Sequence, residues 1–189
     1  MLGLPAWEKS FFVFLQSFHT DFLNSVMEIF SGSLIWLPLV LLLAWRTYSR
    51  FSKRNFYLCV CMLIMLVAVT DSSTSYFFKN LIQRLRPCKM PDIRPYIPDF
   101  GQGCGGKWGF FSSHSANAAT IVHFMSAFAC RRRIEILICW AFVFLIGFSR
   151  IYLGAHFPLD VLVGWSWGLF LAMLWKQLAR LTLMEQASS

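Results

Sequence analysis

Five runs of predominantly apolar residues, each close to the length that crosses a bilayer, constrain this chain more than any other feature. They extend over Glu28 to Trp45, Phe56 to Phe78, His114 to Ala129, Ile134 to Phe148 and Leu159 to Trp175. A hydrocarbon core about 30 Å thick takes roughly 20 residues of helix. Lipid offers the backbone no hydrogen-bond partner, so each span must be helical. Of 189 residues, 57% are hydrophobic and 14% charged, with a mean hydropathy of +0.57. A soluble domain of this length has too little interior to hide that much apolar surface. The expectation is an all-α integral membrane protein with five transmembrane helices. No linker, low-complexity tract or internal repeat divides it, so residues 1–189 are read as one membrane-embedded domain.

The first 26 residues differ from the rest. "WEKSFFVFLQSFHTDFLNSV" carries Glu8, Lys9, His19 and Asp21 among Phe and Leu at helical spacing. That pattern suits one amphipathic helix in the membrane interface, with a short spanning helix as the alternative. A cleaved signal peptide is not expected, since no basic start precedes an uninterrupted apolar core.

A net charge of +8 could point to nucleic acid, but the basic residues fall in clusters beside the apolar runs. Arg46, Arg50, Lys53 and Arg54 follow the first span; Arg131, Arg132 and Arg133 follow the third; Lys176 and Arg180 follow the fifth. An alternating thread puts all of them on one face, cytoplasmic by the positive-inside rule. The partners are therefore a membrane and something at its far side, not nucleic acid. That side, outside the cytoplasm, receives the loop 79–113 and the stretch "SRIYLGAHFP".

Of six cysteines, at 59, 61, 88, 104, 130 and 139, four lie in or beside apolar runs and read as packing residues. Cys88 and Cys104 share the polar loop, where they either pair in an oxidising compartment or stay as two thiols.

Three polar segments meet at the outer face: "KNLIQRLRP", "FSSHSAN" and "SRIYLGAHFPLD". Lys79 and Arg86, about two helical turns apart, are expected on one side of an extended second helix. Together with Arg150 they repel one another unless an anion sits between them, and phosphate suits arginine forks and a lysine point charge. Ser112 and Ser113 open the third span, where free N–H groups face an anion. His156 can attack phosphorus, Asp160 can orient its ring, and His114 can protonate the leaving oxygen. The cations then stabilise the equatorial oxygens of the transition state. Taken singly, Lys79, Arg86 and Arg94 also fit snorkelling interfacial cations, and Asp160 a helix-dipole partner. His19 and His123 have no polar company in the sequence and read as structural. A metal held by His114, His156 and Asp160 would sit against those cations at a cost, so no metal and no cofactor are expected.

These segments resemble the tripartite signature of the type-2 phosphatidic acid phosphatase superfamily. Lys79, Arg86 and Pro87 match its first motif; Phe111, Ser112, Ser113 and His114 stand where Pro-Ser-Gly-His is usual; Ser149, Arg150, His156 and Asp160 match its third. Phe111 and Ser113 depart from that pattern without removing a catalytic atom. The resemblance implies a metal-independent hydrolase of lipid phosphates with a phosphohistidine intermediate. In it His156 is nucleophile, His114 acid and Asp160 orienter, with Lys79, Arg86, Ser112, Ser113 and Arg150 on the phosphate. Among bacterial members the first expectation is undecaprenyl diphosphate phosphatase, with Arg94 and Lys107 as contacts for a second phosphate. Lipid A phosphatase and phosphatidylglycerophosphate phosphatase are the alternatives. A non-catalytic lipid-phosphate binder or a channel is the reading from another class; the nucleophile argues against the first, and polarity confined to one end against the second.

Overall fold

In the computed structural model, residues 5–98 and 104–185 are described. Seven helices follow one another: α1 (Ala6–Gln16), α2 (Asp21–Ser31), α3 (Trp36–Tyr48), α4 (Lys53–Ile82), α5 (Ser113–Ala129), α6 (Arg133–Tyr152) and α7 (Pro158–Glu185). Among the described residues α4, α6 and α7 are long and apolar enough to cross a membrane. α2 and α3, bent by 48° at the break between them, make a fourth crossing if taken as one span. The chain is thus a multi-pass membrane protein, with Leu41, Ile64, Leu137, Phe144 and Leu174 among the large apolar side chains on its outside.

The remaining run, α5, is the hub. At 17 residues it extends about 25 Å at 1.5 Å per residue, less than a hydrocarbon core. Nearly every side of it is buried, from Ala116 through Thr120 to Phe124, against Leu43, Leu66, Val143, Ile146 and Leu171. Its small residues explain this. Gly164 and Gly168 of α7 face it so closely that a Cβ on Gly168 would lie 2.1 Å from the Ala116 carbonyl oxygen. Thr120 Oγ1 donates to the Gly168 carbonyl at 3.2 Å. Small residues four apart let two backbones touch where packing alone must hold helices together. Because α5 is short and α4 long, the end of the bundle where α5 begins is recessed.

Two expectations change here. The first 26 residues hold α1 and the first part of α2 rather than one helix, because Thr20 is extended and its side chain accepts from the Leu23 N–H, starting α2 afresh. α1 packs on the bundle. Its buried stripe of Glu8, Phe12 and Gln16 packs onto the turn between α6 and α7, with Phe12 against Phe157 and Gln16 donating to the Ile151 carbonyl. The helix carrying Lys79 also stops earlier than expected. It widens into a π turn over Ser73–Phe78 and ends at Ile82, where Gln83 takes a left-handed conformation (φ 50°). Arg86 precedes a proline, which disfavours helix, and is extended.

Candidate active site

The recess is a cavity of about 470 Å3. Lys79 comes from the end of α4, Arg86 from the loop after it, Ser113 and His114 from the start of α5, Arg150 from α6 and His156 from the α6–α7 turn. Residues as far as 77 positions apart in the chain thereby line one cavity.

Each is held by its own contacts. Lys79 Nζ donates to Ser113 Oγ at 2.7 Å, and Thr74 Oγ1 donates to the same oxygen at 3.0 Å. Arg86 Nη1 lies 3.1 Å from His156 Nε2 and 3.3 Å from the Ala155 carbonyl oxygen. Arg150 reaches across to the Ser31 hydroxyl at the end of α2. Gly154 (φ 68°) turns the chain from α6 into the His156 loop, and there a Cβ would meet Ile97 at 2.6 Å. Gly109, behind Arg86, leaves room for that side chain.

His156 is buried, and its pKa is pushed well below the ordinary 6.5, first by desolvation and then by Arg86, Arg150 and Lys79. The neutral ring accepts from Arg86 on Nε2, leaving Nδ1 to carry the proton. Nδ1 faces Asp160 Oδ2 at 3.7 Å, longer than a hydrogen bond. Burial likewise lowers the Arg86 pKa, with Asp160 opposing.

Asp160 is fully buried and does more than face His156. Oδ2 accepts the Phe157 N–H at 2.9 Å, closing the first turn of α7, and Oδ1 accepts from Arg84 Nη1 at 2.8 Å. Arg84 also pairs with Glu8, whose other oxygen accepts the Leu159 N–H at 2.9 Å. Two carboxylates and a guanidinium thus form a buried triad beneath the site. Arg84 was legible only as a second arginine in "QRLRP"; nothing in the sequence paired it with Glu8, 76 positions away.

Other candidates are placed differently. Ser112 does not line the cavity: its Oγ caps α5, accepting from the Ser115 N–H at 3.3 Å, while its own N–H donates to the Asp160 carbonyl at 3.0 Å. Lys107 lies over the Trp108 ring, 4.5 Å from its centroid, and Arg94 donates to the Ile97 carbonyl at 2.7 Å; neither lines the cavity. Cys88 and Cys104 come together as a disulfide with Cα atoms 6.2 Å apart. His19 and His123 do have polar company. The His19 ring lies within hydrogen-bond reach of its chain neighbours Gln16 and Asn24, in the turn between α1 and α2, whereas His123 Nε2 meets Lys176 Nζ at 2.9 Å because folding packs α5 against α7.

A buried cationic cradle around a neutral histidine, at one end of a membrane helix bundle, defines a membrane-embedded phosphate-handling protein. The family comparison agrees: the PAP2 superfamily matches residues 54–182. The chain belongs to that superfamily and is a phosphatase of its lipid-phosphatase class. It is 29% identical over 163 residues to a lipid A 4'-phosphatase of Porphyromonas gingivalis, covering 86% of this chain and 68% of that protein. A phosphatidylglycerophosphatase B of Bacillus subtilis is 32% identical over 123 residues, covering 61% of this chain and 56% of that one. Among solved structures, LpxE of Aquifex aeolicus superposes with a TM-score of 0.67 at 25% identity, covering 94% of this chain and 99% of that one. The PAP2-type phosphatidylglycerolphosphate phosphatase of Bacillus subtilis gives 0.70 at 24% identity, covering 93% and 85%, and supports the fold.

Proposed function

We propose that the chain hydrolyses a lipid phosphomonoester without a metal, through a phosphohistidine on His156. The observation that carries this reading is the Arg86–His156 contact of 3.1 Å inside a cavity that Lys79 and Arg150 also line. With phosphate bound, Lys79, Arg86 and Arg150 turn to its three non-bridging oxygens, freeing Nε2. Nε2 attacks phosphorus; the P–N bond forms as the ester P–O bond breaks. His114 gives its proton to the leaving lipid oxygen. Water then attacks phosphorus as His114 takes its proton back, and the P–N bond breaks to release inorganic phosphate. Asp160 stabilises the imidazolium-like ring by closing the 3.7 Å gap to Nδ1, as catalytic hydrogen bonds do on binding. Ser113 keeps Lys79 aimed, and Ser112 acts by capping α5.

The lipid we propose is lipid A or a similar glycolipid monoester, on the resemblance to proteins bearing that name. Undecaprenyl diphosphate ranks lower because Arg94 and Lys107 turn to their own loops. Five crossings, with the short α5 as one of them, would put the site on the periplasmic side of a bacterial inner membrane. The basic clusters at the opposite end support that orientation.

The test is phosphate release by the purified protein in detergent with EDTA, on lipid A, phosphatidylglycerophosphate, phosphatidic acid and undecaprenyl diphosphate. His156→Ala is the control. Release that persists in EDTA and vanishes in the variant is expected. Release that the variant retains would remove His156 from its role.

A further inference from the structure

Lys79, Ser75, Asp71 and Val67 recur every fourth residue on one face of α4, and all four line the cavity. The opposite wall belongs to α5, through His114, Asn117 and Ile121. The two helices are antiparallel, since Lys79 meets Ser113 at one end while Thr70 Oγ1 lies 3.3 Å from Thr120 Oγ1 further along. The cavity is therefore layered. Cations and histidines occupy the outer level, and Val67 and Ile121 the inner one. Between them Asn117 Nδ2 donates to Asp71 Oδ1 at 3.1 Å.

Phosphate chemistry uses the outer level and a lipid chain suits the inner one, but neither explains a carboxylate and an amide in the middle. Asn117 Oδ1 is buried with no hydrogen-bond partner among the described residues. A buried acceptor in that state costs free energy until a donor reaches it. The Asp71 carboxylate is an acceptor too, so this level complements a group rich in hydrogen-bond donors. Asn117 is three residues beyond His114 on α5, about 5 Å along the axis. That is close enough for the donors to belong to the moiety bearing the phosphate.

We infer that Asp71 and Asn117 form a head-group subsite that takes hydroxyl and amide N–H donors adjacent to the phosphate, as an amino-sugar lipid presents them. This rests on the phosphatase reading and gives its glycolipid class the residues that would recognise it. A prenyl diphosphate offers no such donors, and its second phosphate would approach the Asp71 carboxylate. Phosphatidic acid has a monoester but no head-group donor, so it engages the outer level alone.

The experiment compares kcat/KM of the full-length protein on three lipids: a monophosphorylated acylated glucosamine disaccharide, phosphatidic acid and undecaprenyl diphosphate. The readout is the ratio of the glycolipid value to the phosphatidic acid value. Asp71→Ala and Asn117→Ala are each expected to lower that ratio about 10–100-fold, the scale of discrimination when a site built for donors loses its acceptor. A purely structural role for the pair would depress both lipids alike and leave the ratio unchanged, which overturns the inference. Wild-type protein that prefers undecaprenyl diphosphate to the glycolipid overturns it as well. Should Asp71→Ala fail to fold, Asp71→Asn, which keeps the shape and removes the charge, carries the same comparison. If the wild-type protein releases phosphate from none of the three, the phosphatase reading falls and the subsite with it. If it is active but the ratio does not move, only the subsite falls.

Discussion

Arg84 holds Asp160: its Nη1 donates to the Asp160 Oδ1 at 2.8 Å while its Nη2 reaches Glu8, and all three side chains are buried. The guanidinium also lies over the Phe157 ring, 4.6 Å from the centroid. One arginine thereby ties α1, the first turn of α7 and the residue facing His156.

Removing Arg84 strands two buried carboxylates, a change that typically costs about 3–5 kcal/mol. Arg84→Met is expected to lower Tm sharply and to reduce kcat, because Asp160 loses the partner that fixes Oδ1. Glu8→Gln in the same background removes one of the stranded charges while leaving an acceptor for the Leu159 N–H. The double variant should melt above Arg84→Met alone. Equal melting of the two would show that Glu8 is not coupled to Arg84.

The depressed pKa of His156 sets the direction of a pH effect. Its folded pKa lies well below the unfolded value near 6.5, so below pH 6.5 the unfolded chain binds the extra proton. The stability contributed by the neutral ring is complete above pH 6.5 and is lost as pH falls towards the folded pKa. The loss approaches about 1.4 kcal/mol per pH unit at most. His156→Gln cannot take up that proton. The difference in Tm between wild type and variant should therefore narrow, or move in favour of the variant, from pH 7 to pH 5. A constant difference would mean the ring is solvated.

Gly168 tests the helix contact that sets the site. A Cβ there would lie 2.1 Å from the Ala116 carbonyl oxygen, backbone that cannot swing away. Gly168→Ala must push α7 off α5 and should cost at least the 1–3 kcal/mol typical of overpacking, about that order. Activity should fall with it, since α7 carries Asp160 and α5 carries His114. Gly106→Ala, where a Cβ meets nothing within 4 Å, is the matched control. Detergent melting curves of the two variants make the comparison, and equal curves would contradict the close approach.

The Cys88–Cys104 bridge closes a loop with a sequence separation of 16, worth about 3 kcal/mol by chain entropy. It lies just after Arg86, and the Cys88 N–H donates to the Gly154 carbonyl at 3.2 Å, beside the His156 turn. Reductant, or Cys88→Ser with Cys104→Ser, should lower Tm and raise KM. A Tm indifferent to reductant would separate the bridge from stability.

The sequence by itself determined that this is a membrane helix bundle and which polar residues gather at one end of it. Apolar runs of bilayer length permit little but helix, and charge is too costly in lipid to be scattered, so Lys79, His114, Arg150 and His156 announced themselves by being out of place. Asp160, legible as a partner for a helix dipole, is found in the first turn of α7, which Pro158 begins. Tertiary structure alone decided the rest. The break at Thr20 depends on a local cap outweighing an unbroken amphipathic pattern, and the stop at Ile82 on a left-handed residue that propensity does not announce. Ser112 proved to be a cap rather than a wall of the cavity, because its hydroxyl accepts from the first turn of α5 and its N–H is taken by the Asp160 carbonyl. The pairs Arg84–Glu8 and Asp71–Asn117 join positions 76 and 46 apart. No periodicity encodes such contacts; they exist only where packing brings two helix faces together and burial makes an unpaired polar group expensive.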